Sequence, residues 1–349
     1  MTSEKRPTID DVARHAGVSK SLVSLVTRGA EHVSPKRRAA VLRAVGELGY
    51  RPNAMAQGLV QKRTRIVGVL VSDLSNPFFA DVIAGLQVQA RVEGYRVLLN
   101  TGDRIAEFED DAVETLLQLR VDGLILGSPA MESALVVRAS REVPVVVIGR
   151  PARATSVDSV ADDDAAGALA VVQHCAALGH RRIAHIDGGE GAGATERRAG
   201  YEAAMRKLRL SAEINIARGA YTEAGGHQGA RELLDQKPRP TAIFAANDLA
   251  AIGALNAIEE HGLRVPEDVS VVGYDNTSLA AMRHVSLTTV HQPKHDIGQM
   301  AMELLVERME GARVKPRRVV LAPTLVVRTT TGPPPPDREK HRKAARVRR

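Results

Sequence analysis

Seven short apolar runs, each closed by Gly, Ser, Thr, Pro or Asp, limit this chain more than any other feature. "IVGVLVS", "YRVLLNT", "VDGLILG" and "VPVVVIG" come first; "RRIAHID", "TAIFAAND" and "VSVVGYD" follow after a gap. Helical patterns such as "FADVIAGLQVQARVEG" lie between them. Strands that are apolar on both faces and alternate with helices predict parallel sheets covered on both sides. Two successive sets of such units predict two lobes. The carboxyl ends of their strands should face a shared cleft, where ligands of open α/β sheets bind.

The first 65 residues have another texture. In "DVARHAGVSKSLVSLV" two short apolar patterns are joined by Gly17. Thr8 is placed to cap a first helix, with Asp11 three residues on as its capping-box partner. Ser19 is placed to cap a second helix ending near Arg28 and Gly29. Ser34 and Pro35 are placed as cap and first residue of a third, which stops at Gly49. Three short helices with one tight glycine turn make a helix-turn-helix unit, whose second helix enters the DNA major groove. Residues 50–65 then form a short, marginal helix and linker that orders on binding.

Charge divides along the same line. Residues 1–65 carry 13 Lys/Arg against 5 Asp/Glu, while residues 66–331 carry 28 against 34. A basic head on an acidic body points to a polyanion at the head. The segment 332–349, Pro-rich and then basic, reads as a disordered tail. A single cysteine, Cys175, excludes an intrachain disulfide and fits a cytoplasmic setting. No apolar run is long enough for a membrane span or a signal peptide.

These marks together resemble the LacI/GalR family of transcriptional regulators, over about residues 8 to 331. They include "TIDDVARHAGVSKSLVSLV", "VSPKRRAAVLRAVGELGYRPN", "SNPFF", "DDAAGALA", "LGHRRIAHI", "RRAGY", "PTAIFAANDLAAIGAL", "VPEDVSVVGYDN" and "LTTVHQP". The resemblance implies an α/β protein with a helix-turn-helix headpiece (1–49), a hinge (50–65) and a two-lobed sensor like periplasmic binding proteins (66–331). It also implies a homodimer that binds double-stranded, palindromic operator DNA and answers to a small-molecule effector.

On the recognition helix, the resemblance puts Lys20, Ser21 and Leu25 at base-contacting positions. The family often has arginine where Leu25 stands; leucine cannot donate to guanine but can touch a thymine methyl. A core role for Leu25 is the alternative. Ser19, Ser24 and Arg28 are candidates for phosphate contacts, and Thr8, Asn53 and Ala56 join the DNA-binding set. Leu59 matches the hinge leucine that wedges into the minor groove and kinks the duplex.

Candidate effector residues are Asn76, Phe78, Phe79, Arg197, Tyr221, Asn247, Asp275 and Gln292. The resemblance implies that Arg197 and Asp275 grip the effector. An arginine fork and an aspartate acceptor suit paired hydroxyls, and the adjacent Phe78 and Phe79 on one loop suit the face of a sugar or nucleoside ring. Arg197 shows no carboxylate neighbour in sequence except Glu196. Asn247 has a rival role as a helix cap.

Other chemistry finds little footing. "GGEGAGAT" lacks the G-K-[ST] of a P-loop and reads as a flexible cleft loop. His174, Cys175, His180 and His185 fit no usual zinc spacing. Neither a metal, a cofactor nor a nucleophile–base arrangement is indicated. A sugar-transport protein would share the sensor but has no use for residues 1–65, and an α/β enzyme is not excluded by fold alone. The residues leave inducer or co-repressor, and repressor or activator, open. No leucine heptad follows "RRVVLAPTLVVRTT" to join dimers into a tetramer.

Overall fold

The computed structural model describes residues 7–30, 32–51, 63–129, 133–150 and 156–336. The chain divides into two compact units, Met1–Arg65 and Ile66–Arg349.

In the first unit, α1 (Ile9–Ala16), α2 (Lys20–Thr27) and α3 (Pro35–Leu48) pack around Val12, Val23, Val26, Val41 and Ala44. Thr8 and Asp11 form the capping box: the Thr8 amide donates to Asp11 Oδ2 at 2.9 Å, and the Asp11 amide to Thr8 Oγ1 at 3.4 Å. Gly17 closes α1 at φ 62°, a conformation that costs a side-chain-bearing residue about 1 kcal/mol or more. Ser19 then caps α2 by accepting from the Leu22 amide at 3.3 Å. Ser34 differs from expectation. It stands at the N-cap position of α3 but makes no capping bond with its side chain. Pro35 at the first helical position, lacking an N–H, leaves one fewer free donor at this helix end.

The second unit holds two six-stranded sheets. The first contains β1 (Ile66–Val71), β2 (Arg96–Thr101), β3 (Gly123–Gly127), β4 (Val145–Ile148), β5 (Asp158–Asp162) and β11 (Arg318–Leu321), in the order β11-β5-β4-β3-β1-β2. All its pairings are parallel. The second contains β6 (Ile183–Ile186), β7 (Asn215–Ala217), β8 (Ala242–Ala245), β9 (Ser270–Asp275), β10 (Thr288–His291) and β12 (Thr324–Val326), in the order β12-β10-β9-β8-β6-β7. Its edge strand β12 runs antiparallel to β10, an exception to the all-parallel expectation.

Alternation within the strands explains the layering. Val67, Val69 and Val71 join Ile125, Val146 and Ile148 beneath α4 (Pro77–Val92) and α11 (Lys294–Met309). Leu70, Leu124, Leu126, Val145 and Val147 face the other way, against α5 (Ala106–Gln118) and α6 (Ser133–Glu142). The second sheet repeats the plan. Ile186, Ile243 and Val271 pack with α9 (Glu223–Leu234) and α10 (Asp248–Glu260), and Ile183, Phe244, Val272 and Val290 pack with α7 (Asp164–Ala177) and α8 (Ala194–Lys207).

The lobes are interleaved, which the reading of two successive sets did not anticipate. The chain leaves lobe 1 after β5, returns to it with α11 and β11, and ends in lobe 2 with β12. It therefore crosses between the lobes three times, near residues 163, 292 and 322. The expected tail also begins later than residue 332. Thr331 Oγ1 pairs with His174 Nε2 at 3.0 Å. The Gly332 amide donates to Ser270 Oγ at 3.1 Å, and its carbonyl oxygen lies 2.8 Å from His180 Nε2. A buried imidazole and hydroxyl thus hold the chain on lobe 2 through Gly332. The basic residues 337–349 lie outside the described residues, as do Asn53, Ala56, Gly58 and Leu59 of the expected hinge.

Helices α4 and α11 cross at glycines. A Cβ at Gly298 would stand 2.0 Å from the Val82 carbonyl oxygen, and one at Gly85 2.0 Å from that of His295. Backbone atoms cannot yield as a side chain does. Gly298→Val should therefore destabilise the sensor by about 3 kcal/mol, a fall in Tm on the order of 8 °C. Gly46→Ala, in the interior of α3 with nothing within 4 Å, should instead stabilise the head by about 0.5–1 kcal/mol. Calorimetry of the full chain and the two variants reads both signs.

Candidate functional site

Two surfaces carry chemistry, and each follows from its unit's fold. On the head, the core takes Val23 and Val26 from α2 and half-buries Leu22. Helical geometry then turns the other face outward. Ser19, Lys20 and Ser21 are exposed, and Ser24 and Arg28 half-buried. Leu25 is 40% exposed and lies outside the core. That removes the core alternative. Lys20 Nζ lies 2.5 Å from Asp10 Oδ1, and Arg28 Nε donates to the Ser24 carbonyl at 2.9 Å. Thr8 is exposed at the start of α1, where its hydroxyl already belongs to the capping box.

In the sensor, the carboxyl ends of both sheets open onto one cavity of about 370 Å³. Lobe 1 supplies Ser72, Asn76, Phe78, Phe79, Arg104 and Asp162 to its wall. Lobe 2 supplies Asp164, Arg197, Tyr221 and Asp275, with the segment Gly188–Ala192, and Gln292 lies at a crossover. The glycine-rich stretch is thus part of the wall. Phe78 and Phe79 sit in the first turn of α4 rather than on a loop. Their rings meet edge to face, 5.2 Å apart at 83°, and both are buried. Asn76 caps that helix, accepting from the Phe78 amide at 3.0 Å.

Arg197 is the centre of the cavity's electrostatics. It is 3% exposed. Its Nε and Nη2 donate to Asp164 Oδ1 at 2.9 and 2.6 Å, and Nη1 donates to the Ala246 carbonyl. The guanidinium lies 3.5 Å over the Tyr274 ring and 5.6 Å from that of Tyr221. The carboxylate partner is therefore Asp164, 33 residues away in sequence, and not Glu196. Tyr274 in turn donates its hydroxyl to Asp162 Oδ2 at 2.7 Å. Burial pushes the Asp164 carboxyl up to about 7 against the pull of Arg197, and burial raises Asp162 as well.

Asp275 ends β9 in the same lobe as Arg197. Its backbone sits at φ 107°, outside the ordinary range for a side-chain-bearing residue, and Asn276 follows at φ 52°. The buried ammonium of Lys294, at the start of α11, donates to the carbonyls of both, at 2.7 and 2.8 Å. Gln292 Nε2 donates to Asp275 Oδ1 at 2.6 Å. Burial, reinforced by Asp248, holds the Asp275 carboxyl well above the usual carboxylate range. Lys294 was not visible as a functional residue in sequence, since a lysine at a helix start ordinarily faces water.

Asn247 takes its rival role. It caps α10 by accepting from the Ala250 amide at 2.9 Å, and the described cavity wall does not include it. His185 stacks on Phe244 at 4.6 Å, and His180 pairs with Thr241 Oγ1 at 2.9 Å. Among the described residues no group of three His, Cys, Asp or Glu could hold a metal ion.

Residues 8–53 match the family described as bacterial regulatory proteins, lacI family, and residues 172–331 match a periplasmic binding protein-like domain. The ribose operon repressor of Haemophilus influenzae is 34% identical over 323 residues, spanning 92% of this chain and 97% of that protein. The chain belongs to the lacI family. It is a DNA-binding transcriptional regulator with an effector-binding domain. Among solved structures, the Lac repressor dimer bound to operator and the anti-inducer ONPF is 33% identical, covering 94% of this lacI-family chain and all of that one, with a TM-score of 0.83. A complex of the regulator CelR with cellobiose is 34% identical, covering 93% of this chain and all of that one, with a TM-score of 0.70. No helix among the described residues of this lacI-family regulator is long and apolar enough to cross a membrane.

The raised Asp164 carboxyl gives a pH test. Between about pH 4 and 7 the folded chain holds a proton there that the unfolded chain has released. Stability from this group is present at low pH and is lost as pH rises through the folded value near 7. Asp164→Asn should flatten the decline of unfolding free energy over that window by up to about 1.4 kcal/mol per pH unit. Urea titrations at successive pH values measure it.

Proposed function

We propose that this regulator is a cytoplasmic homodimeric repressor whose hold on a palindromic operator is set by a sugar, or a related polyol or nucleoside, bound between the sensor lobes. The observation that carries the effector class is the composition of the cavity wall. Three buried aspartyl carboxyls, Asp162, Asp164 and Asp275, share the wall with the guanidiniums of Arg197, Arg104 and Arg218, beside the paired rings of Phe78 and Phe79. Carboxyl and guanidinium groups together suit a ligand rich in hydroxyls, which both donate and accept, and the apolar rings suit one with a flat carbon face. The Lac repressor structure with ONPF and the CelR structure with cellobiose favour a carbohydrate.

On the DNA side, α2 enters the major groove. Lys20, Ser21 and Leu25 read bases, while Thr8, Ser19, Ser24 and Arg28 contact phosphates and Asn53 and Ala56 belong to the hinge contacts. Leu59 wedges a central base step from the hinge. Arg197 and Asp275 hold the effector, with Asn76, Tyr221 and Gln292 around it. The effector acts by its differential affinity for two arrangements of the lobes.

Arg197→Ala is a poor probe of this mechanism, because it strips Asp164 and the Ala246 carbonyl of their buried donor and so mixes lost stability with a lost ligand contact. Asp275→Asn keeps the shape and replaces one carboxyl oxygen with an amide donor. A thermal-shift panel containing ribose, cellobiose and adenosine should find at least one compound that stabilises the wild type, by about 2.7 kcal/mol at a hundred times its Kd. Asp275→Asn should lose that stabilisation while keeping operator affinity. A full shift in the variant removes Asp275 from the site. On operators selected from random DNA, Leu25→Ala should lose discrimination against random sequence. Arg28→Ala should weaken both equally and lower the salt slope by about 1.

A further inference from the structure

The three crossovers join the lobes along one side. They leave or enter β5 and β11 in the first sheet and β10 and β12 in the second, which form matching edges of the two strand orders. The opposite edges are β2 and β7. No covalent link joins those, but a hydrogen-bonded one does. Arg104 follows β2, and its Nη2 donates to the carbonyl oxygen of Tyr221, which follows β7, at 3.1 Å.

Both ends of this tie are fixed. On lobe 1, the Arg104 amide donates to the Ser72 carbonyl at 2.8 Å, with its backbone at φ 63°. Its Nη2 also donates to Asp73 Oδ2 at 2.7 Å, and Asp73 accepts from the Ser75 amide and hydroxyl at 2.8 and 2.6 Å. On lobe 2, the Tyr221 hydroxyl donates to the Ala192 carbonyl at 2.9 Å. The Tyr221 ring lies so close to Gly188 and Gly191 that a Cβ at either would stand 2.5 or 2.3 Å from it. Arg104 and Tyr221 both line the cavity.

We propose that Arg104 is a positioning residue of the effector site, a latch at the free edge of the cleft that sets the closed spacing of the lobes through the Tyr221 carbonyl. The proposal rests on the cleft being the effector site. Leverage makes the contact sensitive. Five strand spacings separate the hinge edge from β2, about 24 Å at roughly 4.8 Å each. An opening of about 10° parts Arg104 from Tyr221 by about 4 Å, more than a hydrogen bond tolerates. A ligand that touches Tyr221 or Arg104 therefore acts on closure directly.

Pulsed electron-spin distance measurements on the full-length chain test this without any ligand. Labels go on cysteines introduced at the exposed positions Glu107 in lobe 1 and Ala224 in lobe 2. The native Cys175 is buried and its thiol is pushed up to about 12, so it stays unlabelled. Labelled protein is diluted into excess unlabelled chain, so that only distances within one chain are read. Arg104→Ala should move the distribution outward by about 4 Å, and Arg104→Lys, which keeps a cation able to reach both oxygens, should return it toward the wild type. An Arg104→Ala distribution that coincides with the wild type overturns the latch. If the alanine variant does not fold, Arg104→Gln, with one amide nitrogen for two acceptors, is read by the same criterion. The sugar thermal-shift panel on the wild type separately tests the cleft as the effector site, so the two ideas fail by different results.

Discussion

The buried ion pair between Arg197 and Asp164 is the constraint around which the sensor cleft is arranged. A guanidinium removed from water is tolerable only with a carboxylate and further acceptors in place. Asp164 supplies the charge, the Ala246 carbonyl supplies another acceptor, and the faces of Tyr274 and Tyr221 supply electron-rich contacts. Each of these partners stands at the end of a strand or the start of a helix. The pair therefore ties α7 and α8 to the ends of β8 and β9. Tyr274 extends the connection to Asp162 at the end of β5, so the charge cluster also reaches across the first crossover into lobe 1.

Strain at Asp275 belongs to the same economy. Its left-handed backbone places a carboxyl against Gln292 and turns two carbonyls toward Lys294. A buried ammonium with two carbonyl acceptors and Asp81 at 3.5 Å is satisfied, and in return it holds a conformation the chain would otherwise leave. The lysine belongs to the helix that carries the chain back to lobe 1, so the geometry of a lobe 2 acid is set partly from the other lobe.

What the sequence disclosed follows from where its signals are local. Apolar runs such as "IVGVLVS" announce strands because both faces are buried by helices close in sequence. The capping box at Thr8 and the turn at Gly17 are read from neighbouring residues alone. The strand "DSVAD" escaped, because its buried Asp158 pairs through Oδ1 with Arg313, at 2.8 Å but 155 residues later. The partner of Arg197 escaped for the same reason, and Lys294 was hidden because its acceptors are backbone atoms at a bend no pattern marks. The adjacency of Phe78 and Phe79 was legible, but their place on a helix depended on Asn76 and Pro77 acting as cap and first residue. The three crossovers were beyond a linear reading, since β11 and β12 are four and three residues long, with few buried side chains.

That weave has a consequence for how such a protein can be rearranged. The head is one uninterrupted stretch of chain, so a single recombination event near residue 65 exchanges it whole. A lobe of the sensor has no such boundary. Lobe 1 is assembled from residues 66 to about 163 and again from about 293 to 322, so replacing it alone takes four simultaneous breakpoints. Gene fusion can trade operator specificities among chains of this topology freely. The two halves of the effector cavity are bound to be inherited together, and new ligand preferences have to arise by substitutions within a fixed pair of lobes.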